Sequence, residues 1–238
     1  MPEGGLPAVA GGALYIVPTP IGNLGDISRR AAGILAQADL VAAEDTRRTL
    51  GLLSHLGIRK PVLSYFEGNR ARRIPELVSA IRGGKSVALV SDAGTPAVSD
   101  PGGQLVAACV EAGLRVIPIP GPSAVTCAVS AAGLPGDGFV FVGFLPRTRG
   151  RAARLIAKAA ALDSPIVAFE GPGRLSKTLA LLHEKWPEAR VVVAREISKM
   201  HEEFLRGRPG EVLAAWGTRP EIGDSPRRKG EVTLVMKI

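Results

Sequence analysis

Residues 87–103 read VALVSDAGTPAVSDPGG, and the fold class turns on them. VALV is an apolar run bounded by polar and glycine residues, the pattern of a strand buried in a parallel sheet. The next thirteen residues, SDAGTPAVSDPGG, hold three Gly, two Pro, two Asp, two Ser and one Thr. A helical pattern follows over 104–113, then a second apolar run, LRVIPIP. Strand, polar loop, helix and strand make a βαβ unit, and open α/β sheets bind ligands outside the carboxyl ends of their strands. Asp92 and Asp100 offer acceptors for hydroxyl or ammonium groups. Gly94, Gly102 and Gly103 let backbone approach a ligand, and Pro96 and Pro101 stiffen the loop. An ordinary capped strand-to-helix turn explains the same residues equally well.

The pattern recurs upstream. ALYIV over 13–17 reads as a strand and runs into PTPIGNLGDIS, with Ser28 placed to cap a helix. Residues 39–43 give a short strand that ends at Glu44, Asp45, Arg47 and Arg48. Acids there serve either as helix caps or as substrate-positioning groups. With further strands at 61–65 and 114–118, the first half alternates strand and helix about five times, which predicts a mainly parallel sheet with helices on both faces. IPIPGPSA over 117–124 is a stiff connector and the expected domain boundary. The expected organisation is a disordered lead-in at 1–12, an α/β domain at 13–120 and a second α/β domain at 121–238.

The second half reads as a small-residue helix, AVTCAVSAAGLP, a strand FVFVGF over 139–144, and then LPRTRGRAARLIAKAAA. Arg147, Arg149, Arg151, Arg154 and Lys158 occur there with no acid among them, and the last three share one helix face. A solvated helix face or phosphate contact accounts for such a run, and the missing counter-charge tilts the reading toward phosphate. IVAFEGPGRL, VVVAREISKMHEE and the closing GEVTLVMKI supply more strands, and the last is expected at a sheet edge.

Composition sets limits. The formal charge of +8 is uneven: 12 basic against 10 acidic residues lie up to Pro120, and 18 against 12 beyond it. A basic excess on one half favours a polyanionic partner. No apolar run approaches the roughly 18 residues of a membrane span. The first residues lack a basic segment ahead of their apolar part, so a cytoplasmic protein is expected. Cys109 and Cys127 read as buried free thiols, and the three histidines form no metal-ligand pair, so no metal is expected. GGKS at 83–86 precedes a strand and lacks the upstream glycine of a phosphate loop, since Ser79 stands there. No GxGxxG follows a strand.

As a set, LYIVPTPIGNLGDIS, ADLVAAEDTRRT, VALVSDAGTPAVSDPG, IPGPSAV, FVGFLPR and VVVAREISKMHEE resemble the bacterial small-subunit ribosomal RNA 2′-O-ribose methyltransferases. These modify a decoding-centre cytidine and belong to the tetrapyrrole-methylase-like superfamily of S-adenosylmethionine enzymes. The resemblance covers residues 13–238 and implies a two-domain α/β fold, with a mainly parallel first sheet, a mixed second sheet and the donor in the cleft between domains. It also implies a homodimer acting on small-subunit rRNA or the 30S subunit, away from membranes and DNA, with S-adenosylhomocysteine as the second product. By motif position, donor binding maps to Pro20, Ile21, Asp92, Ala93, Gly94, Thr95, Val98, Ser123, Ala124, Glu170 and Ile197. One position departs from the usual pattern: Gly173 stands where relatives often carry a bulkier residue.

A ribose hydroxyl is a weak nucleophile, so an acceptor for its proton is expected. Asp45 and Glu44 are the candidates, with Arg47 holding a phosphate or the carboxylate and Lys199 as second choice. Arg147, Arg149, Arg151, Arg154 and Lys158 are the expected RNA contacts. Two rival readings stand beside this one: a tetrapyrrole or diphthine-precursor methyltransferase on the same fold, and a non-catalytic rRNA-binding assembly factor.

Overall fold

The computed structural model describes residues 9–218 and 230–238. The chain forms two compact units, Met1–Ser123 and Ala124–Ile238. Of the expected disordered lead-in, residues 1–8 lie outside the described residues. Residues 9–12 are tied down: Val9 N–H donates to Gln37, Ala10 N–H to the Tyr15 hydroxyl and Gly12 N–H to the Gly84 carbonyl.

The first unit alternates as its periodicity predicts. Strands β1 (Ala13–Ile16), β2 (Leu40–Ala43), β3 (Val62–Ser64), β4 (Ser86–Val90) and β5 (Arg115–Pro118) are separated by helices α1 (Arg29–Gln37), α2 (Thr46–His55), α3 (Arg70–Arg82) and α4 (Gly103–Glu111). All pairings are parallel, in the order β3-β2-β4-β1-β5. Strand residues alternate between faces. Tyr15, Val41, Ala43, Ala88 and Val90 pack with Ile34 and Leu35 of α1 and Leu52 and Leu53 of α2. Leu14, Ile16, Ala42, Val87 and Leu89 pack with Leu77 and Ile81 of α3 and Leu105 and Cys109 of α4. Adjacent strands β1 and β4 therefore send their connections to opposite faces and in opposite directions. That is a topological switch point, and it opens a crevice at the carboxyl ends of these two strands.

The second unit opens with α5 (Ala124–Ala132) and continues through β6 (Val140–Phe144), α6 (Arg149–Ala160), β7 (Ile166–Glu170), α7 (Pro172–Lys185), β8 (Arg190–Arg195), β9 (Glu203–Gly207), α8 (Pro209–Thr218) and β10 (Val232–Lys237). Its sheet, ordered β6-β7-β10-β8-β9, is mixed: β6 and β7 run parallel and the other pairs antiparallel. The expected fold class, a parallel sheet followed by a mixed one, is borne out. Helices α6, α7 and α8 cover one face through Ile156, Leu175, Leu179, Leu182 and Val212, and α5 covers part of the other through Val125 and Ala128.

Two details correct the sequence reading. The closing strand is central: β10 lies between β7 and β8, because its apolar run is buried on both faces. Cys109 is buried as expected, whereas Cys127 is only partly so. Among the described residues no helix is long and apolar enough to cross a membrane. Leu179 is fully buried between α7 and the sheet. Leu179→Ala should cost about 2–5 kcal/mol, read as a lower urea midpoint by tryptophan fluorescence. Both tryptophans, Trp186 and Trp216, lie in the second unit, so the signal reports that unit alone.

Candidate functional site

The crevice is built from strand-end loops that are stitched together by backbone. Thr19, just beyond β1, and Gly94, just beyond β4, exchange both N–H···O=C bonds at 2.9 Å. The Thr19 hydroxyl donates to the Ser91 carbonyl at 3.1 Å. Thr95 donates to the Pro122 carbonyl at 3.0 Å, which fastens the same loop to the one after β5. The Asp45 N–H donates to Asp92 Oδ1 at 3.0 Å, which fastens it to the end of β2. Loops after β1, β2 and β5 thus converge on the loop after β4.

That loop is bent hard. Ala97 and Ser99 have φ values of 68° and 65°, and Gly102 has 144°. A Cβ at Gly102 would stand 3.0 Å from a Leu89 methyl and 3.3 Å from the Ala97 nitrogen, so only glycine enters α4 here. Left-handed Ala and Ser cost about 1–3 kcal/mol each and mark segments held by their surroundings.

A pocket of about 380 Å³ opens beside these loops, lined by Thr19, Pro20, Leu24, Arg48, Ser91 and Asp92 among others. Pro20 and Asp92 were expected from sequence. Arg48 was expected at the end of β2 as a substrate-positioning candidate; Thr49 and Leu52 were not expected in the site, although Arg48 and Leu52 lie one turn apart on α2. Ile21 is buried, with a methyl against Gly94. Ala93, Thr95 and Val98 follow in the same loop, Val98 being exposed, and Ser123 ends the unit. The expected donor residues of the first unit are therefore brought to one end of one sheet. Ala124, Glu170 and Ile197 belong to the second unit: Ala124 opens α5, and Ile197 packs on the α5 face of the sheet.

The Glu170 side chain is a strut within the second unit. It is buried and accepts from Gly171 N–H at 2.7 Å, from the Thr178 hydroxyl at 2.6 Å and from Arg174 at 2.5 Å. Arg174 in turn donates to the Leu145 carbonyl at 3.1 Å, which ties the chain after β6 to α7. The space beside Gly173 is open, so a side chain there is sterically allowed.

The proposed proton acceptors separate sharply. Asp45 caps α2 and is paired to Arg47, which donates through Nε at 3.1 Å and Nη2 at 2.7 Å; these bonds lower its pKa to about 2. An acid that weakly basic is a poor acceptor, and the Arg47 charge is committed to it. Glu44 moves the other way. Burial is the main cause, with Asp92 and Asp100 adding repulsion, and together they hold its pKa above the ordinary value despite a hydrogen bond from Asp92 N–H and the charge of Arg48. Lys199, the second choice, is paired with two acids. Burial lowers its pKa, but bonds of 3.0 Å to Glu196 and to Glu231 outweigh this and keep the ammonium protonated, so it accepts no proton. Among the described residues no group of His, Cys, Asp and Glu is arranged to hold a metal.

On the candidate RNA face, Ala152, Ile156 and Ala159 turn α6 toward the core, leaving Arg151, Arg154 and Lys158 exposed on the opposite side. Arg147 is exposed before the helix, and Arg149 is paired with Glu184 of α7.

The family model for Tetrapyrrole (Corrin/Porphyrin) Methylases matches residues 13–213. A Thermotoga maritima protein named ribosomal RNA small subunit methyltransferase I is 46% identical over 94% of this chain and 98% of its own length. A Neisseria meningitidis protein of the same name is 44% identical over 96% of this chain and 77% of its own length. The chain belongs to the small-subunit ribosomal RNA methyltransferase I family. It is a methyltransferase, which sets aside the non-catalytic reading. Solved structures carry the same fold: diphthine synthase, at TM-score 0.70 and 16% identity, covers 94% of this chain and 90% of its own. Thermus thermophilus uroporphyrin-III C-methyltransferase, solved in complex with S-adenyl homocysteine, has TM-score 0.62 and 18% identity, over 94% of this chain and 97% of its own.

Glu170→Ala leaves Arg174 and Thr178 without their acceptor, and should destabilise the second unit by about 2–3 kcal/mol in the same fluorescence titration. An unchanged midpoint would show the network to be idle.

Proposed function

We propose that this methyltransferase carries a methyl group from S-adenosylmethionine to the ribose 2′-hydroxyl of a decoding-centre cytidine in small-subunit rRNA. It acts as a cytoplasmic homodimer on the rRNA or the 30S subunit. The observation that carries this reading is the 46% identity to a protein named ribosomal RNA small subunit methyltransferase I over nearly the whole of both chains, and Glu44, a partly buried carboxylate beside Asp92 at the strand-end crevice, supplies a proton acceptor in keeping with it. The names of the relatives support the substrate class, and the exposed cations of α6 supply a phosphate-binding face in keeping with it.

The first unit's loops fit the donor. Asp92 offers a carboxylate for hydroxyls, the paired backbone at Thr19 and Gly94 keeps the crevice floor fixed, and Pro20 and Leu24 give apolar wall. The grouping of Glu44, Asp92 and Asp100 gives this end of the sheet the negative potential that favours a sulfonium cation. When bound, S-adenosylmethionine supplies a methyl group already activated on sulfur. What remains for the protein is alignment and removal of one proton. Glu44 would take the proton from O2′ onto a carboxylate oxygen as the oxygen–methyl bond forms and the sulfur–methyl bond breaks, with S-adenosylhomocysteine as the leaving group. Its raised pKa makes it a stronger acceptor than Asp45, at about 2. Arg48, 3.6 Å from Asp92, pairs with that neighbouring carboxylate.

An acceptor works only when ionised, so activity should fall as pH drops through the Glu44 pKa, above the usual 4.5. Glu44→Gln should lower kcat by about 10²–10⁴-fold and flatten that acid limb in a pH–rate profile. Asp45→Asn should leave the limb in place. For the substrate itself, the test is mass spectrometry of digested small-subunit rRNA from cells with the gene deleted and restored. One ribose methyl should vanish from a decoding-centre cytidine and return. An unchanged methyl map would remove the RNA substrate and point to a tetrapyrrole or diphthine acceptor.

A further inference from the structure

Phe144 ends the edge strand β6 with its side chain 61% exposed. A bulge puts it there. Phe141 pairs with Val167 and Phe144 with Phe169, so three steps along β6 match two along β7. The extra residue is taken up at Gly143, with φ 67°. Without it, Phe144 would alternate to the face opposite Phe141. With it, both rings meet Phe169, at centroid distances of 5.3 and 5.0 Å. The next residue, Leu145, enters the core under α6 and α7. Bulges re-aim side chains in this way, often beside functional sites.

The result is an aromatic ring backed by Phe169, itself packed on Phe141, and exposed to solvent at the carboxyl end of a strand. Arg147 follows three residues later, and Arg151, Arg154 and Lys158 line the exposed face of the helix after it. From Arg151 to Lys158 the helix rises about 10 Å. An exposed ring with a cation close by in the chain, as Phe144 has Arg147, is how proteins hold single-stranded nucleic acid: the cation meets a phosphate, and the ring stacks a base. Reaching a ribose hydroxyl in folded rRNA also requires unstacked nucleotides, whose bases need a new partner.

We propose that Phe144 is a stacking platform for one unpaired base of the RNA substrate, with Arg147 taking an adjoining phosphate and the α6 cations meeting the strand farther along. This rests on the rRNA reading above and adds a residue that binds the base without touching the reacting atoms.

The experiment uses full-length protein and small-subunit rRNA from cells lacking the gene. Wild-type transfer of label from S-adenosylmethionine to this rRNA comes first, and its absence would sink the rRNA reading itself. With wild type active, Phe144→Ala and Phe144→Leu should each raise KM for rRNA by roughly 5- to 100-fold, the loss of one stacked base. Leu still fills the space against Phe169 but offers no ring. Phe144→Trp should retain wild-type KM. Donor affinity by calorimetry and the salt dependence of rRNA binding should not change, because stacking releases no counterions. Arg151→Ala with Arg154→Ala should instead flatten the salt dependence. The proposal is overturned if Leu behaves as Phe, if donor affinity falls with Phe144, or if Phe144→Ala shifts the sedimentation of the protein, which would make the ring a contact between copies of this chain.

Discussion

The loop after β4 keeps its shape because its backbone is paired with the loop after β1, at Thr19 and Gly94. The strands end, the ladder stops, and buried N–H and C=O groups need acceptors and donors. The bridge supplies them, and Thr19 adds a side-chain bond to Ser91. With the first residues of the loop fixed, the chain beyond can hold Ala97 and Ser99 in left-handed conformations that an isolated loop would abandon. Asp92 then stands where the Asp45 N–H can reach it, and the end of β2 is drawn into the same construction. A crevice made by four loops is thereby referred to one pair of backbone hydrogen bonds.

Why the bridge forms between these two loops follows from topology. In the order β3-β2-β4-β1-β5, β1 and β4 are neighbours whose helices depart to opposite faces. The loops after them leave neighbouring strands side by side, and they meet at Thr19 and Gly94. Sequence order gives no hint that β1 and β4 adjoin, since seventy residues separate them. The alternation of strands and helices was legible, because parallel strands buried on both faces read as apolar runs such as VALV and LVAA. The pairing order was not, because every such run looks alike.

The site was legible to the same degree. Glycine- and proline-rich strand ends marked Pro20, Asp92 and their neighbours, and those residues do gather at one end of the first sheet. Roles within the gathering were not legible, because they depend on partners distant in sequence. Glu170 lies in a loop rich in Gly and Pro, yet its oxygens are taken by Gly171, Thr178 and Arg174. Lys199 stands among glutamates in sequence and pairs with one of them, Glu196, yet Glu231, just ahead of the last strand, closes on it as well. The central place of β10 was hidden for a related reason. Its flanking Lys and Glu suggested an edge, and only pairing on both sides shows that its buried run outranks them.

Glu44 and Asp45 are adjacent in the chain and carry the same chemistry, and their surroundings drive them apart. Asp45 turns outward into the first turn of α2, where the Arg47 side chain and backbone N–H stabilise its charged form. Glu44 turns toward the sheet end, where water is partly excluded and two other carboxylates repel its charge. One residue of chain rotation therefore yields a weak base fixed in a cap and a stronger base set beside the crevice. Paired acids whose environments push their pKa values apart divide their labour in this way, one structural and one chemical. The division here requires both neighbours: without the cap at Asp45, α2 would not begin where it does, and Arg48 would not stand over Asp92 to balance the charge that Glu44 already feels.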